Sequence, residues 1–177
     1  MKHKSENILL IAGCGQNVGK TTLICQILQN QILQNPIAIK TTPHFHKITQ
    51  GLVEIEKGKN WTLFEESDKT TQKDSSLYLQ NGAVKSYLIQ SDDAGLQEAF
   101  SALKNFLPDE NPIIIESAAL TEIIQPGFFV MILPEGECKK KKMGTKLNKA
   151  DLIVISDGNH FYPSPEKIIF NNSWRLK

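Results

Sequence analysis

The sequence predicts an α/β fold in which a mostly parallel sheet carries helices on both faces. Three observations predict it. Short apolar runs alternate with helix-period segments along the chain. Those runs are near-continuous in Ile, Val and Leu, as strands covered on both faces are. The first run passes through a glycine-rich turn directly into a helical pattern.

The first strand is read over Asn7 to Ala12, with its apolar centre at Ile8 to Ile11, and a helix follows from Gly19 to about Leu33. Pro36-Ile37-Ala38-Ile39-Lys40 is the second strand. Between Gln50 and Glu66 the pattern changes. Leu52 to Glu56 and Trp61 to Glu65 flank Lys57-Gly58-Lys59-Asn60, which reads as a β-hairpin inserted over 47–67 and projecting from the sheet. Asp74 starts a helix to Asn81 as its N-cap, and Gly82 stops it. Lys85 to Gln90 is the next strand; Ser91-Asp92-Asp93 caps a helix from about Ala94 to Phe106. Pro112 to Glu116, Phe128 to Leu133 and Leu152 to Ile155 complete a sheet of six or seven strands.

Composition bounds the rest. A chain of 177 residues, 40% apolar, with formal net charge +1, predicts one domain over 1–177 with its own core. The near-neutral charge excludes a dedicated nucleic-acid binder, which needs a strongly basic face. Lys139 to Lys142 is a solvated charge run without interleaved aromatics. Arg175 is the only arginine, so an arginine finger from within the chain is not expected. Cys14, Cys25 and Cys138 are too few and scattered for a disulfide framework, and three thiols fit a reducing cytoplasm. Lys2 and Lys4 before Ile8 to Cys14 imitate a lipoprotein leader. The apolar segment is only about five residues, short of the roughly seven that a leader needs. The expectation is a mature, cytoplasmic chain with no membrane span.

The chemistry concentrates at Gly13-Cys14-Gly15-Gln16-Asn17-Val18-Gly19-Lys20-Thr21-Thr22. A strand, a glycine-rich turn and a helix opening on Gly-Lys-Thr make a phosphate-binding loop. Consecutive backbone N–H groups must face one anion, and the helix N-terminus adds partial positive charge. Lys20 would reach the β- and γ-phosphates, and Thr21 would offer its hydroxyl to Mg²⁺. Gly13 stands six positions before Gly19, one more than the common spacing. Together these features predict a three-layer P-loop NTPase fold with an inserted β-hairpin.

Glu116 ends an apolar strand whose carboxyl end opens on the ligand crevice, so it is the candidate second acid for Mg²⁺. Lys20 and Glu116 are the candidate catalytic groups, and Lys40 faces the same crevice from the second strand. Asp68, in a loop without a capping duty, and Asp74 are further candidate metal ligands. His44 and His46 lack a third ligand nearby and are read as pocket-lining or exposed. Asn148-Lys149-Ala150-Asp151 spells a guanine-reading tetrad but precedes its strand, where such a tetrad must follow one. Asp157, after that strand, is a candidate contact for a base edge. Adenine and guanine, and hence ATP and GTP, both remain open.

Taken in order, Gly13 to Thr22, Ile39-Lys40 with the following histidines, Asp68-Lys69, Lys73-Asp74-Ser75, Asn81-Gly82-Ala83 and Ile114-Ile115-Glu116 form a recognisable series. It resembles the molybdopterin-guanine dinucleotide biosynthesis protein B family over roughly Asn7 to Gly158. The resemblance implies a dimeric, GTP-binding P-loop protein that assists a molybdopterin nucleotidyltransferase. It implies Lys20 and Thr21 on phosphates and Mg²⁺, Asp74 and Glu116 near the metal, and Lys40 in the crevice. The chain departs from it at Ser117 and Gln72, where the family has glycine, and in the hairpin insertion. The long loop with Val18 before Gly19 is also similar to dethiobiotin synthetase and related ATP-dependent ligases, which are generally longer chains. The expected activity is slow Mg²⁺-dependent NTP hydrolysis in an accessory protein. The alternatives are an ATP-dependent small-molecule kinase or ligase, and a module that binds nucleotide without turnover.

Overall fold

In the computed structural model, which describes residues 4–30, 33–136, 138 and 144–177, nine strands form one sheet. The strands of its parallel centre are β1 (Lys4–Gly13), β2 (Ile37–Thr42), β5 (Lys85–Ser91), β6 (Ile113–Glu116), β7 (Gln125–Pro134) and β8 (Leu152–Ser156). They lie in the order β5-β2-β6-β1-β7-β8, every neighbour parallel. Neighbouring residues of β1 point to opposite faces. Ile8, Leu10 and Ala12 enter one apolar cluster; Leu9 and Ile11 enter the other. That is why these strands read as unbroken apolar runs.

Helices cover both faces. On the Leu9 side pack α1 (Lys20–Asn30), through Leu23, Ile24, Ile27 and Leu28, and α2 (Asp74–Gln80), through Tyr78. On the Leu10 side α3 (Leu96–Lys104) buries Leu96, Ala99, Phe100 and Leu103. The Asp92 carboxylate accepts the Ala94 and Gly95 N–H groups at 3.0 and 2.9 Å, so the capping expected of this stretch is made by Asp92. A short α4 (Gly144–Leu147) precedes β8.

The hairpin corrects one expectation. β3 (Leu52–Lys57) and β4 (Trp61–Glu66) do not project; β4 pairs antiparallel with β5 and extends the sheet, leaving β3 at its edge. Trp61, Leu63 and Phe64 are buried, and burying both faces of β4 is what holds the hairpin down. The other edge gains β9 (Phe161–Tyr162), antiparallel to β8. A separate hairpin, β10 (Ile168–Phe170) and β11 (Trp174–Leu176), folds against the α1 side. Ile168 and Trp174 are buried there, and Trp174 Nε1–H donates to the Asn7 carbonyl at 2.8 Å. The sequence pattern does not predict these three short strands.

The thiols are the second correction. Cys14 and Cys138 are joined as a disulfide, which leaves Cys25 as the free thiol. β1 and β7 are neighbours in register, Gly13 opposite Ile132, so the residues that follow each strand emerge side by side. The Lys139–Lys142 run lies outside the described residues.

Candidate functional site

The glycine-rich loop is a compact turn between β1 and α1. Gly15, Asn17 and Gly19 all have positive φ, at 113°, 60° and 86°. Left-handed residues alternating with others is the backbone pattern of an anion-binding nest. Two glycines are demanded by space. A Cβ on Gly13 would lie 2.5 Å from Val18 Cγ2, and one on Gly19 would lie 2.8 Å from the Gly158 carbonyl. Lys20 folds back over the loop, its Nζ donating to the Gly15 carbonyl at 2.8 Å. The loop is tied to the sheet by Cys14 N–H donating to Ile132 O at 2.9 Å.

Sheet register assembles the rest. β6 lies between β1 and β2, with Glu116 opposite both Ile11 and Lys40. Cross-strand partners share a face, so Lys40 and Glu116 meet under the head of α1. Lys40 Nζ donates to Glu116 Oε1 at 3.1 Å and pairs closely with Asp74. Thr21 Oγ1 stands 3.0 Å from Asp74 Oδ1 and 3.2 Å from Glu116 Oε2. Its single proton serves one of them at a time. Tyr78, one turn beyond Asp74 on α2, donates its hydroxyl to Glu116 Oε2 at 2.6 Å. Glu116 is 5% exposed, which excludes a solvated acid at a strand end.

Asp74 is not the helix cap expected of it. Lys73 occupies the N-cap position, and the Asp74 carboxylate turns across to Lys40 and Thr21. Asp68 is not brought to the cluster. Its Oδ1 accepts from both the N–H and the hydroxyl of Thr70, at 2.7 and 2.6 Å, so it closes its own turn. Those bonds, the Thr70 side chain's first, hold its carboxyl below the ordinary carboxylate range. His44 and His46 are exposed, and among the described residues no three His, Cys, Asp or Glu side chains converge on a metal position. Asp157 is likewise spent locally, accepting the Asn159 and His160 N–H groups and His160 Nδ1–H at 2.7–2.8 Å. In the tetrad before β8, Asp151 accepts the Phe129 N–H at 2.7 Å and Lys149 pairs with Glu122 at 2.9 Å. Tyr78 is the site residue that sequence reasoning missed; its spacing of four from Asp74 was the available signal.

The electrostatics follow from burial. Burial pulls the Lys40 ammonium down, but Glu116 and Asp74 outweigh it and leave its pKa above the ordinary lysine value. The Cys25 thiol, one turn into α1, is pushed up to about 11 by burial, then by Asp74 and Glu116. Burial, with Glu116 next, raises the Tyr78 phenol well above its usual value, so it stays protonated and donates to Glu116.

A cavity of about 430 Å³ joins these groups; Gln16, Asn17, Gly19, Lys20, Thr21 and Thr22 line one side, and Lys40, Asp74 and Glu116 the other. The donor set fits a hard divalent cation: a hydroxyl, two carboxylates and open space for water or anion oxygens. Lys40 engages one oxygen of each carboxylate and offsets one of their two charges, which leaves Asp74 Oδ1 and Glu116 Oε2 turned towards Thr21. No protein-family model matches this chain, and no curated protein or solved structure is significantly similar to it.

Proposed function

We propose that this chain is a Mg²⁺-dependent nucleotide-binding protein of the three-layer P-loop NTPase fold, with slow turnover of GTP or ATP. The single observation that carries the reading is the junction of nest and cluster. The left-handed residues Gly15, Asn17 and Gly19 open directly onto Lys20 and Thr21, and Thr21 touches both Asp74 and Glu116. Bound nucleotide would lay its β- and γ-phosphates in the loop, with Lys20 moving from the Gly15 carbonyl onto them. Thr21 would hold Mg²⁺, and its proton would then be free for Glu116 or Asp74. Mg²⁺ would screen the phosphate charge as the terminal bond breaks. Tyr78 and Lys40 keep Glu116 oriented towards Thr21 throughout. Turnover by the chain alone is slow in this reading, because no internal arginine reaches the transferring phosphate. The resemblance to molybdopterin-guanine dinucleotide biosynthesis protein B extends the proposal to an accessory role, as a homodimer, beside a molybdopterin nucleotidyltransferase.

A second reading, an ATP-dependent small-molecule kinase or ligase, is favoured by one feature: a further cavity opens on the far side of Lys40 and Asp74. A kinase or ligase hydrolyses ATP rapidly only with its acceptor present; an accessory protein does not.

The test is a thermal-shift panel of ATP, GTP and their diphosphates with Mg²⁺. At a hundredfold excess over Kd, binding stabilises by about 2.7 kcal/mol, a rise of about 5–10 °C for a chain of this size. Lys20→Ala is expected to remove the shift while leaving the unliganded melting point within a few degrees. A full shift in Lys20→Ala would place the nucleotide elsewhere.

A further inference from the structure

The second cavity, about 400 Å³, shares a wall with the first: Lys40 and Asp74 line both. Behind that wall the lining comes from the loop after β2, the head of α2 and β5. Its charge is lopsided. Lys40, Lys47 and Lys73 face it against one carboxylate, Asp74, which Lys40 and Thr21 already engage. Lys73 Nζ donates only to neutral acceptors, the Thr49 hydroxyl and the Gln50 carbonyl. Among the described residues neither Lys47 nor Lys73 is ion-paired with a carboxylate, and Asp68 acts on Lys73 only through space.

A second observation comes from β5. Gln90 also lines this cavity and is 3% exposed. Its Oε1 accepts the His46 N–H at 3.2 Å, while its buried Nε2 has no partner. A buried amide nitrogen without an acceptor is costly, and native proteins keep few of them. The nitrogen itself is closed off, so a ligand oxygen would supply the acceptor once the amide turns into the cavity. The volume falls at the lower end of ordinary small-molecule pockets.

We propose that this cavity binds a second, small anionic ligand through its carboxylate or phosphate oxygens, beside the terminal phosphate of a bound nucleotide. The inference rests on the nucleotide reading for its neighbour, but not for its own charge and shape. Lys47 and Lys73 hold the anion, Gln90 donates to it, and Lys40 stands between the two ligands. That arrangement places the two anions on opposite sides of one ammonium.

The test is amide chemical-shift mapping of the full chain, at ionic strength matched with NaCl. It is titrated with glutarate in one arm and glycerol 3-phosphate in the other, each with and without Mg²⁺ and a non-hydrolysable ATP analogue. Saturable shifts are expected at residues 46–49, 72–75 and 88–90, and the better arm identifies carboxylate or phosphomonoester. The Lys47→Gln/Lys73→Gln double variant is expected to weaken that anion by about tenfold or more, with nucleotide affinity unchanged. Lys20→Ala is expected to lose nucleotide and keep the anion, so failure of the nucleotide reading would still leave this result standing. The inference is overturned if neither anion moves those amides, or if the shifts vanish with Lys20→Ala and survive the double lysine change.

Discussion

Glu116 illustrates how much one residue's meaning depends on its neighbours. A carboxylate that is nearly inaccessible persists because Lys40, Thr21 and Tyr78 all donate to it. Removing the cation is therefore far worse than never having had the pair. Lys40→Met is expected to cost about 3–5 kcal/mol in urea denaturation, and adding Glu116→Gln is expected to restore most of it. A single variant as stable as the parent would mean the ammonium does nothing for the fold. The pH dependence has a definite sign. Lys40 is raised in the folded state, so the pair's contribution is complete below the ordinary lysine pKa of 10.5 and is lost as pH climbs through the higher folded value. Cys25 offers a second readout of the same field. Raising its pKa from 9.0 to about 11 cuts the thiolate fraction near pH 8 about a hundredfold. The greater nucleophilicity of the more basic thiolate returns about tenfold. Iodoacetamide should therefore label Cys25 about ten times more slowly in the folded chain than in urea, without reductant; equal rates would refute the shielding.

At the scale of elements, the glycine-rich loop holds its shape through close internal packing and through the Lys20 ammonium on the Gly15 carbonyl. A methyl on Gly13 would lie 2.5 Å from Val18 Cγ2, so Val18 must shift to admit it. Gly13→Ala is expected to weaken nucleotide binding about tenfold or more, and Gly13→Ala/Val18→Ala to recover part of it. No loss in the single variant would show the loop free to reshape. This loop, and the strand ends carrying Lys40 and Glu116, were legible because each depends on local order along the chain. What was not legible was distance. Asp74 looks like a helix cap in sequence, since nothing local says that its carboxylate will meet Lys40 and Thr21. Asp68 looks uncommitted because the Thr70 bonds that occupy it are a matter of backbone turn, not residue type. The hairpin reads in sequence as a projection, yet it adds to the sheet edge. Only the consecutive burial of Leu63 and Phe64 decides between them, and burial depends on the partner strand.

For the whole molecule, the covalent long-range constraint is the one the sequence concealed most fully. Cys14 and Cys138 are 124 residues apart, and only the adjacency of β1 and β7 brings them together. A bridge closing so long a loop removes much of the unfolded chain's freedom, and bridges of this kind are worth about 2–4 kcal/mol. Reduction with dithiothreitol is expected to lower stability by about that amount, a fall in melting temperature of roughly 5–15 °C for a chain of this length. Cys138→Ser is expected to reproduce the loss and to be insensitive to reductant, because the only remaining cross-link would be gone. The two measurements separate a constraint on the unfolded chain from damage to the glycine-rich loop. Cys138→Ser leaves Cys14 in place beneath the nest, so a stability loss with nucleotide affinity intact assigns the bridge to chain entropy. An unchanged melting temperature on reduction would mean that β1 and β7, already paired from Lys4 to Gly13, hold these two segments without covalent help.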